Sequence, residues 1–211
     1  MTNAHYHRGG ETLFSSRGRE YRFFGIHPWD AEKADIGEYL PGLKAALTED
    51  PCAGVGEIGL DRLKEKSVTA AQRELFLAQL KVAAAVHRPV VLHGAKCWGE
   101  VVKAVRPFAD AIPAFLFHGF SRSDGLIPDI VALNGFVSVG KAVLNDHAVN
   151  YRVLVKKLPI DRLLVETDDD AVDAQVRAET LAAVFSKTAE LSGITEAQLD
   201  ANAASFLHAF E

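Results

Sequence analysis

The sequence predicts an α/β fold built on a parallel sheet, and three observations carry this. Short apolar runs alternate with longer amphipathic segments along the 211 residues. The runs are rich in β-branched or aromatic residues and apolar on both faces, as strands covered by helices on either side are. No glycine-rich phosphate fingerprint follows any run, which weighs against an open dinucleotide-binding sheet and leaves a closed barrel as the better reading.

A first strand is expected at 2–7. The runs YRFFGIH (21–27), CAGVGEIG (52–59), PVVLH (89–93), IPAFLFHG (112–119), GFVSVG (135–140) and RLLVETD (162–168) supply six more. Between them, Phe76, Leu80, Ala83 and Ala84 recur at helical spacing within 71–87, and Val176, Leu181, Val184, Phe185 and Leu191 do so less regularly. Gly193 is placed to end that helix. Thr195 and Gln198 then have the spacing of a capping box, and Leu199, Ala203, Phe206, Leu207 and Phe210 line one face of the last helix. The length fits a single domain spanning 1–211.

Hydrophobic residues make up 48% of the chain and charged residues 24%, which excludes disordered and collagen-like classes. No apolar run reaches the roughly 18 residues of a membrane span. The net charge of −5 gives no global attraction to nucleic acid or anionic lipid, so any affinity for phosphates must be local. Cys52 and Cys97 are too few for a disulfide framework and lie in core segments, which suits a reducing compartment. The first residues lack the basic-then-apolar order of a signal peptide. The expectation is a cytoplasmic monomer with no membrane and no obligate protein partner.

Ligand-type side chains sit near the C-terminal ends of these runs: His5 and His7, Glu57, His93, His118 and Asp168. Parallel barrels build their active sites at that rim. His5 and His7, two apart on a strand, point to the same side. A carboxylate inside VGEIG, or after LLVET, is costly to bury unpaired. Four imidazoles and two carboxylates suit Zn, Mn, Fe or Ni better than Ca. They exceed the three protein ligands of a single catalytic Zn, so two metals sharing a bridging carboxylate is the economical reading. His27, in GIHPW, either lines the pocket or caps the strand.

Arg8, Arg62, Lys64, Lys96, Arg122 and Lys141 follow strand ends. A positive rim above a metal site favours an anionic substrate such as a phosphate ester. Solvated loop charges are the alternative, and the run Asp168–Asp169–Asp170 works against such a rim. Cys97 has no dedicated base and reads as a packing residue. His87, His147 and His208 read as surface or helix-packing residues.

The ordered pieces HxH, GIHPW, VGEIGLD, PVVLH, HGFS and ETD resemble the TatD-type metal-dependent hydrolases of the amidohydrolase superfamily, from Asn3 to Asp170 and onward to the C-terminus. GEIGLD and ETD are the most specific of them. The resemblance implies a (β/α) barrel in which His5, His7, Glu57 and Asp168 hold one divalent metal. Glu57 then bridges to a second, held also by His93 and His118; Zn, Mg and Mn are the candidates. It also implies a DNase, such as a 3′–5′ exonuclease acting on single-stranded DNA ends. The chain departs from the family between His7 and GIHPW, where about twenty residues replace a helix, a strand and a helix. ETLFSS at 11–16 reads as a remnant strand there. The fold class is therefore a distorted TIM-like barrel of about seven to eight strands with its first β/α unit shortened. The usual Pro after ETD is missing, and Gly94–Ala95–Lys96 stands where many relatives have an Arg.

On this reading Asp168, Glu57 and His118 are the catalytic candidates. Asp168 orients and deprotonates a water, Glu57 bridges the metals, and His118 or a metal-bound water protonates the leaving alkoxide. Arg62, Lys96, Lys141 and His27 are the candidate substrate contacts. Hydrolysis of an amide, lactone or aminoacyl ester at the same site, and an idle barrel acting as a binding module, stay open as alternatives.

Overall fold

The computed structural model describes residues 3–4, 11–16, 19–64, 66–121, 124–168 and 174–211. Its strands are β1 (Asn3–Ala4), β2 (Glu11–Ser16), β3 (Arg19–Phe24), β4 (Ala53–Asp61), β5 (Val90–Ala95), β6 (Phe115–Phe117), β7 (Gly135–Val139) and β8 (Leu163–Val165). They form one sheet in chain order. From β3 to β8 every neighbour is parallel. Helices α1 (Ile36–Glu49), α2 (Ala70–Ala85), α3 (Trp98–Val105), α4 (Ile127–Ala132) and α5 (Val149–Val155) lie in the successive crossovers, and α6 (Ala174–Ser192) and α7 (Glu196–Leu207) follow β8. Among the described residues no helix is long and apolar enough to cross a membrane.

The shortened unit is where the parallel order breaks. β2 pairs antiparallel with both β1 and β3. Only positions 17 and 18 separate β2 from β3. A parallel partner needs a crossover of about a dozen residues, so β2 has to run backwards. The sheet therefore has eight strands but only six consecutive parallel ones, fewer than the expected barrel count. Two antiparallel reversals leave β1 running in the same sense as β3–β8.

The parallel sheet curls. Phe23 of β3 and Phe136 of β7 both reach Phe206 of α7, with ring centroids 6.2 and 5.5 Å away. In a flat sheet, four strand spacings would hold those strands about 19 Å apart. All nine residues of β4 are buried, as expected of a strand covered on both faces. Gly59 is required there: a Cβ would sit 1.9 Å from the carbonyl oxygen of His93. Its absence lets β4 and β5 approach beside the candidate site.

The helix ends follow their sequence signals. Gly193 has φ of +76° just past α6 and donates its N–H to the Ala189 carbonyl at 2.8 Å. Thr195 Oγ1 accepts from Gln198 N at 3.2 Å. The Gln198 amide donates forward to Asn202 Oδ1 at 2.9 Å, so its recorded side-chain bond runs along α7 and not back to the cap.

Candidate metal centre

Glu57, on buried β4, is the centre of the site. Ligand atoms of His27, Glu57 and His93 all lie within 4.8 Å of one another. His93 Nδ1 is 4.0 Å from Glu57 Oε2, and His118 Nε2 is 3.7 Å from Glu57 Oε1. His118 Nε2 is also 3.6 Å from Asp168 Oδ1. Metal–ligand bonds of about 2.1 Å hold donors roughly 3–4 Å apart, so this spacing fits a cation. The donor set, imidazole and carboxylate, fits a transition metal better than Ca.

Each outer imidazole is oriented by a second buried acid. His93 Nε2–H donates to Asp61 Oδ2 at 2.9 Å, which turns Nδ1 toward Glu57. Asp61 is fully buried at the end of β4. The same oxygen accepts from Trp29 Nε1 at 2.8 Å, and the other accepts from the backbone N–H groups of Leu63 and Lys64. His118 Nδ1–H donates to Glu166 Oε2 at 2.6 Å, which turns Nε2 toward Glu57 and Asp168. Glu166 Oε1 accepts from Gly119 N at 3.1 Å. Such carboxylate–histidine pairs fix the tautomer and the ring plane of a metal-binding imidazole.

The electrostatics of the two rings differ. Burial lowers the His93 pKa and outweighs the Asp61 hydrogen bond. Burial also opposes charge on His118, but Glu166 and Glu57 prevail and hold its pKa well above the usual value. Asp61 is desolvated, yet the His93 and Trp29 donors hold its carboxyl far below the ordinary range. Asp168, with φ of +47° and its side chain 51% exposed, faces the open side. A non-glycine residue in the left-handed region is uncommon, and Asp is among the types that tolerate it.

Two glutamines of α2 brace the scaffold. Gln72 Oε1 accepts from Asp61 N at 3.0 Å, and Gln79 clamps Ile26 through its N–H and its carbonyl, at 2.7 and 3.1 Å. Both glutamines are buried and lie seven residues apart on the face of α2 that meets the sheet.

Of the residues singled out from the sequence, Glu57, His93, His118 and Asp168 come together. His27, expected to line the pocket or cap the strand, caps the 3-10 turn Pro28–Lys33 that follows: its Nδ1 accepts from Trp29 N at 3.3 Å. It also joins the donor cluster. His5, His7, Arg8, Arg122, Asp169 and Asp170 lie outside the described residues. Arg62 is engaged by Glu100, which also binds Arg73. Arg62 and Lys96 line a cavity of about 440 Å³ with Ser121. Lys141 lines another of about 550 Å³ that reaches Ser121, Glu166 and Asp168. The two cavities share Ser121, and of the two only the Lys141 cavity reaches Asp168. Cys97 is a packing residue: its Sγ donates to the Leu60 carbonyl at 3.2 Å, and burial pushes the thiol up to about 11.

Asp61, Glu166, Trp29, Gln72 and Gln79 were not singled out from the sequence. Asp61 and Glu166 carried a usable signal, since each is a carboxylate in or just after an apolar run, as Glu57 and Asp168 are. The glutamines carried none beyond their helical positions.

The profile described as TatD related DNase matches residues 6–209. The chain is 30% identical over 149 residues to the uncharacterized metal-dependent hydrolase YabD of Bacillus subtilis, covering 70% of this chain and 58% of that protein. It is 30% identical over 145 residues to the 3′-5′ ssDNA/RNA exonuclease TatD of Cronobacter turicensis, covering 68% and 55%. The chain thus spans little more than half the length of these relatives. The crystal structure of YJJV, a TatD homologue from Escherichia coli K12, superposes with a TM-score of 0.76 at 28% identity, covering 90% of this chain and 76% of that one. A curled parallel sheet, a carboxylate-centred donor cluster on its strands and a profile match over nearly the whole length agree: the chain belongs to the TatD-related DNase family.

Proposed function

We propose that this chain is a divalent-metal-dependent hydrolase of phosphodiesters, acting on the ends of single-stranded nucleic acid. The observation that carries this is the convergence of His27, Glu57 and His93 donors within 4.8 Å, extended through Glu57 to His118 and Asp168. Glu57, His93, His118 and Asp168 are the residues that would hold the metals, with His27 as a further donor and His5 and His7 added by family resemblance. The bound ions would polarise the phosphoryl oxygens and bring the pKa of a water to about 7.

The chain's own groups do the rest. Asp168 faces the open side, where one carboxylate oxygen can orient the attacking water and take its proton. As the new P–O bond forms, the bond to the leaving oxygen breaks, a water on the open side protonates that alkoxide, and Asp168 releases its own proton to solvent. Lys141, and Lys96 with Arg62, supply positive charge to the phosphate oxygens. Glu57 sits between the two imidazoles, one carboxylate oxygen toward each.

Purified protein stripped with a chelator and reloaded with Mg²⁺, Mn²⁺ or Zn²⁺ tests the proposal. It should cleave bis-p-nitrophenyl phosphate and single-stranded DNA only when reloaded. Turnover confined to lactones or aminoacyl esters would replace it with carbonyl chemistry. Binding of less than about half an equivalent of any metal after reloading would favour an idle barrel.

A further inference from the structure

Trp29 has an unusual position for a large apolar side chain. It is 40% exposed, yet its ring is held from several sides. Its Nε1–H donates to buried Asp61 Oδ2 at 2.8 Å, the oxygen that also holds His93. Its carbonyl accepts from Lys64 Nζ at 3.1 Å. It follows Pro28 in a short 3-10 turn, Pro28–Lys33, capped by His27. Its ring meets the His27 ring edge-on at 4.8 Å, and His27 belongs to the donor cluster. The indole is thus a rigid, partly uncovered aromatic surface one ring away from the candidate metal centre.

We propose that Trp29 is a stacking platform for the nucleobase adjoining the scissile phosphate. The proposal rests on the phosphodiester reading above and adds to it a subsite for the base. Bases stack on exposed aromatic rings without regard to sequence, which suits an enzyme that must process any end. Because Asp61 and the turn already fix the ring, little side-chain freedom remains to be lost when a base arrives. Binding energy gained at the base would hold the phosphate against Glu57 and Asp168, where the backbone alone is positioned by charge.

The test compares oligothymidylate with a wholly abasic oligodeoxyribose phosphate of the same length, using metal-loaded protein. Wild type should show kcat/KM at least about tenfold higher on the base-bearing strand, the scale expected from loss of one stacked base. Trp29→Leu and Trp29→Phe both lose the bond to Asp61, so both should slow on either strand. The ratio between strands is the readout: Trp29→Leu should bring it near one, and Trp29→Phe should keep most of it.

Fluorescence gives a readout independent of turnover. The chain has two tryptophans, and Trp98 is 3% exposed. Quenching of tryptophan emission by a phosphorothioate oligothymidylate, with none by the abasic strand, would therefore report Trp29 and should vanish in Trp29→Phe. If Trp29→Leu does not fold, this wild-type difference decides alone. Equal kcat/KM on both strands, or equal quenching by both, overturns the platform and leaves the phosphodiester reading standing. Absence of all phosphodiester cleavage by reloaded protein overturns both.

Discussion

His93 on β5 and His118 after β6 lie 4.0 and 3.7 Å from different oxygens of Glu57, and each gives its other ring nitrogen to a buried acid. The two sides nevertheless differ in charge. Asp61 receives bonds from Trp29 Nε1 and the N–H groups of Leu63 and Lys64 as well as from His93. Its negative charge is spread over several donors, and burial keeps His93 neutral with a lone pair toward Glu57. His118 sits among Glu166, Glu57 and Asp168. Three carboxylates around one buried ring hold a proton on it well above its usual pKa. If the proposed metal centre is right, the β4–β5 side would donate to a cation directly, whereas the β6–β8 side would first have to give up the His118 proton.

Removing the shared carboxylate breaks both sides and has the largest effect. Glu57→Gln keeps the shape but removes the charge between two imidazoles, and it should lower phosphodiesterase activity by more than about 100-fold, beyond the usual range for outer-shell changes. It should also lower metal content after reloading, measured by elemental analysis. Activity within tenfold of wild type, at full metal content, would show that the two sides act independently of Glu57.

The outer acids sharpen the contrast. Asp61→Asn and Glu166→Gln should each cost about 10–100-fold in activity or metal affinity. They should differ in how they fail. Asp61→Asn frees the His93 tautomer and unhooks Trp29, so it should weaken metal binding at every pH. Glu166→Gln removes an attraction that holds the proton on His118, so its metal affinity should depend less steeply on pH than that of wild type. Titration calorimetry at two pH values separates the variants, and parallel pH slopes would contradict the asymmetry.

What the sequence disclosed of this site follows a physical rule. Glu57, His93, His118 and Asp168 are polar residues in or just after apolar runs, where an unpaired polar group is expensive. The same rule covers Asp61 and Glu166, which stood inside the quoted motifs without a role. A buried acid that holds a ligand and one that is a ligand look alike along a strand, and only the register of His93 and His118 tells them apart. Gln72 and Gln79 were illegible because a glutamine on an amphipathic helix is usually solvated. The six parallel strands were legible from their two-faced apolar character. The remnant strand at 11–16 was visible but its direction was not read: the expected next run began at 21, and only the structure, with β3 starting at Arg19, shows the two-residue link that excludes a parallel crossover. His27 fell between classes, since a residue that caps a turn and one that joins a donor cluster carry the same mark in GIHPW.

The smallest effect concerns the metal-free protein. A folded-state pKa for His118 above the unfolded value of about 6.5 means that folding takes up a proton. The resulting stabilisation is fully present below pH 6.5 and is lost as pH rises through the folded pKa. Chelated wild type should therefore melt at progressively lower temperature from pH 6.5 into the alkaline range. At this chain length each 1 kcal/mol corresponds to about 2–4 °C, so the trend should be readable by thermal denaturation. Glu166→Gln lacks an ionised partner for the ring and should show a shallower alkaline decline from a lower starting point. Metal reverses the direction, because a cation must displace the His118 proton and therefore binds more tightly as pH rises. Saturating metal should accordingly raise the melting temperature more at pH 8 than at pH 6. A chelated protein whose stability is flat or rising between pH 6.5 and 9 would mean that His118 is neutral among its three carboxylates, and that the two sides of Glu57 are alike.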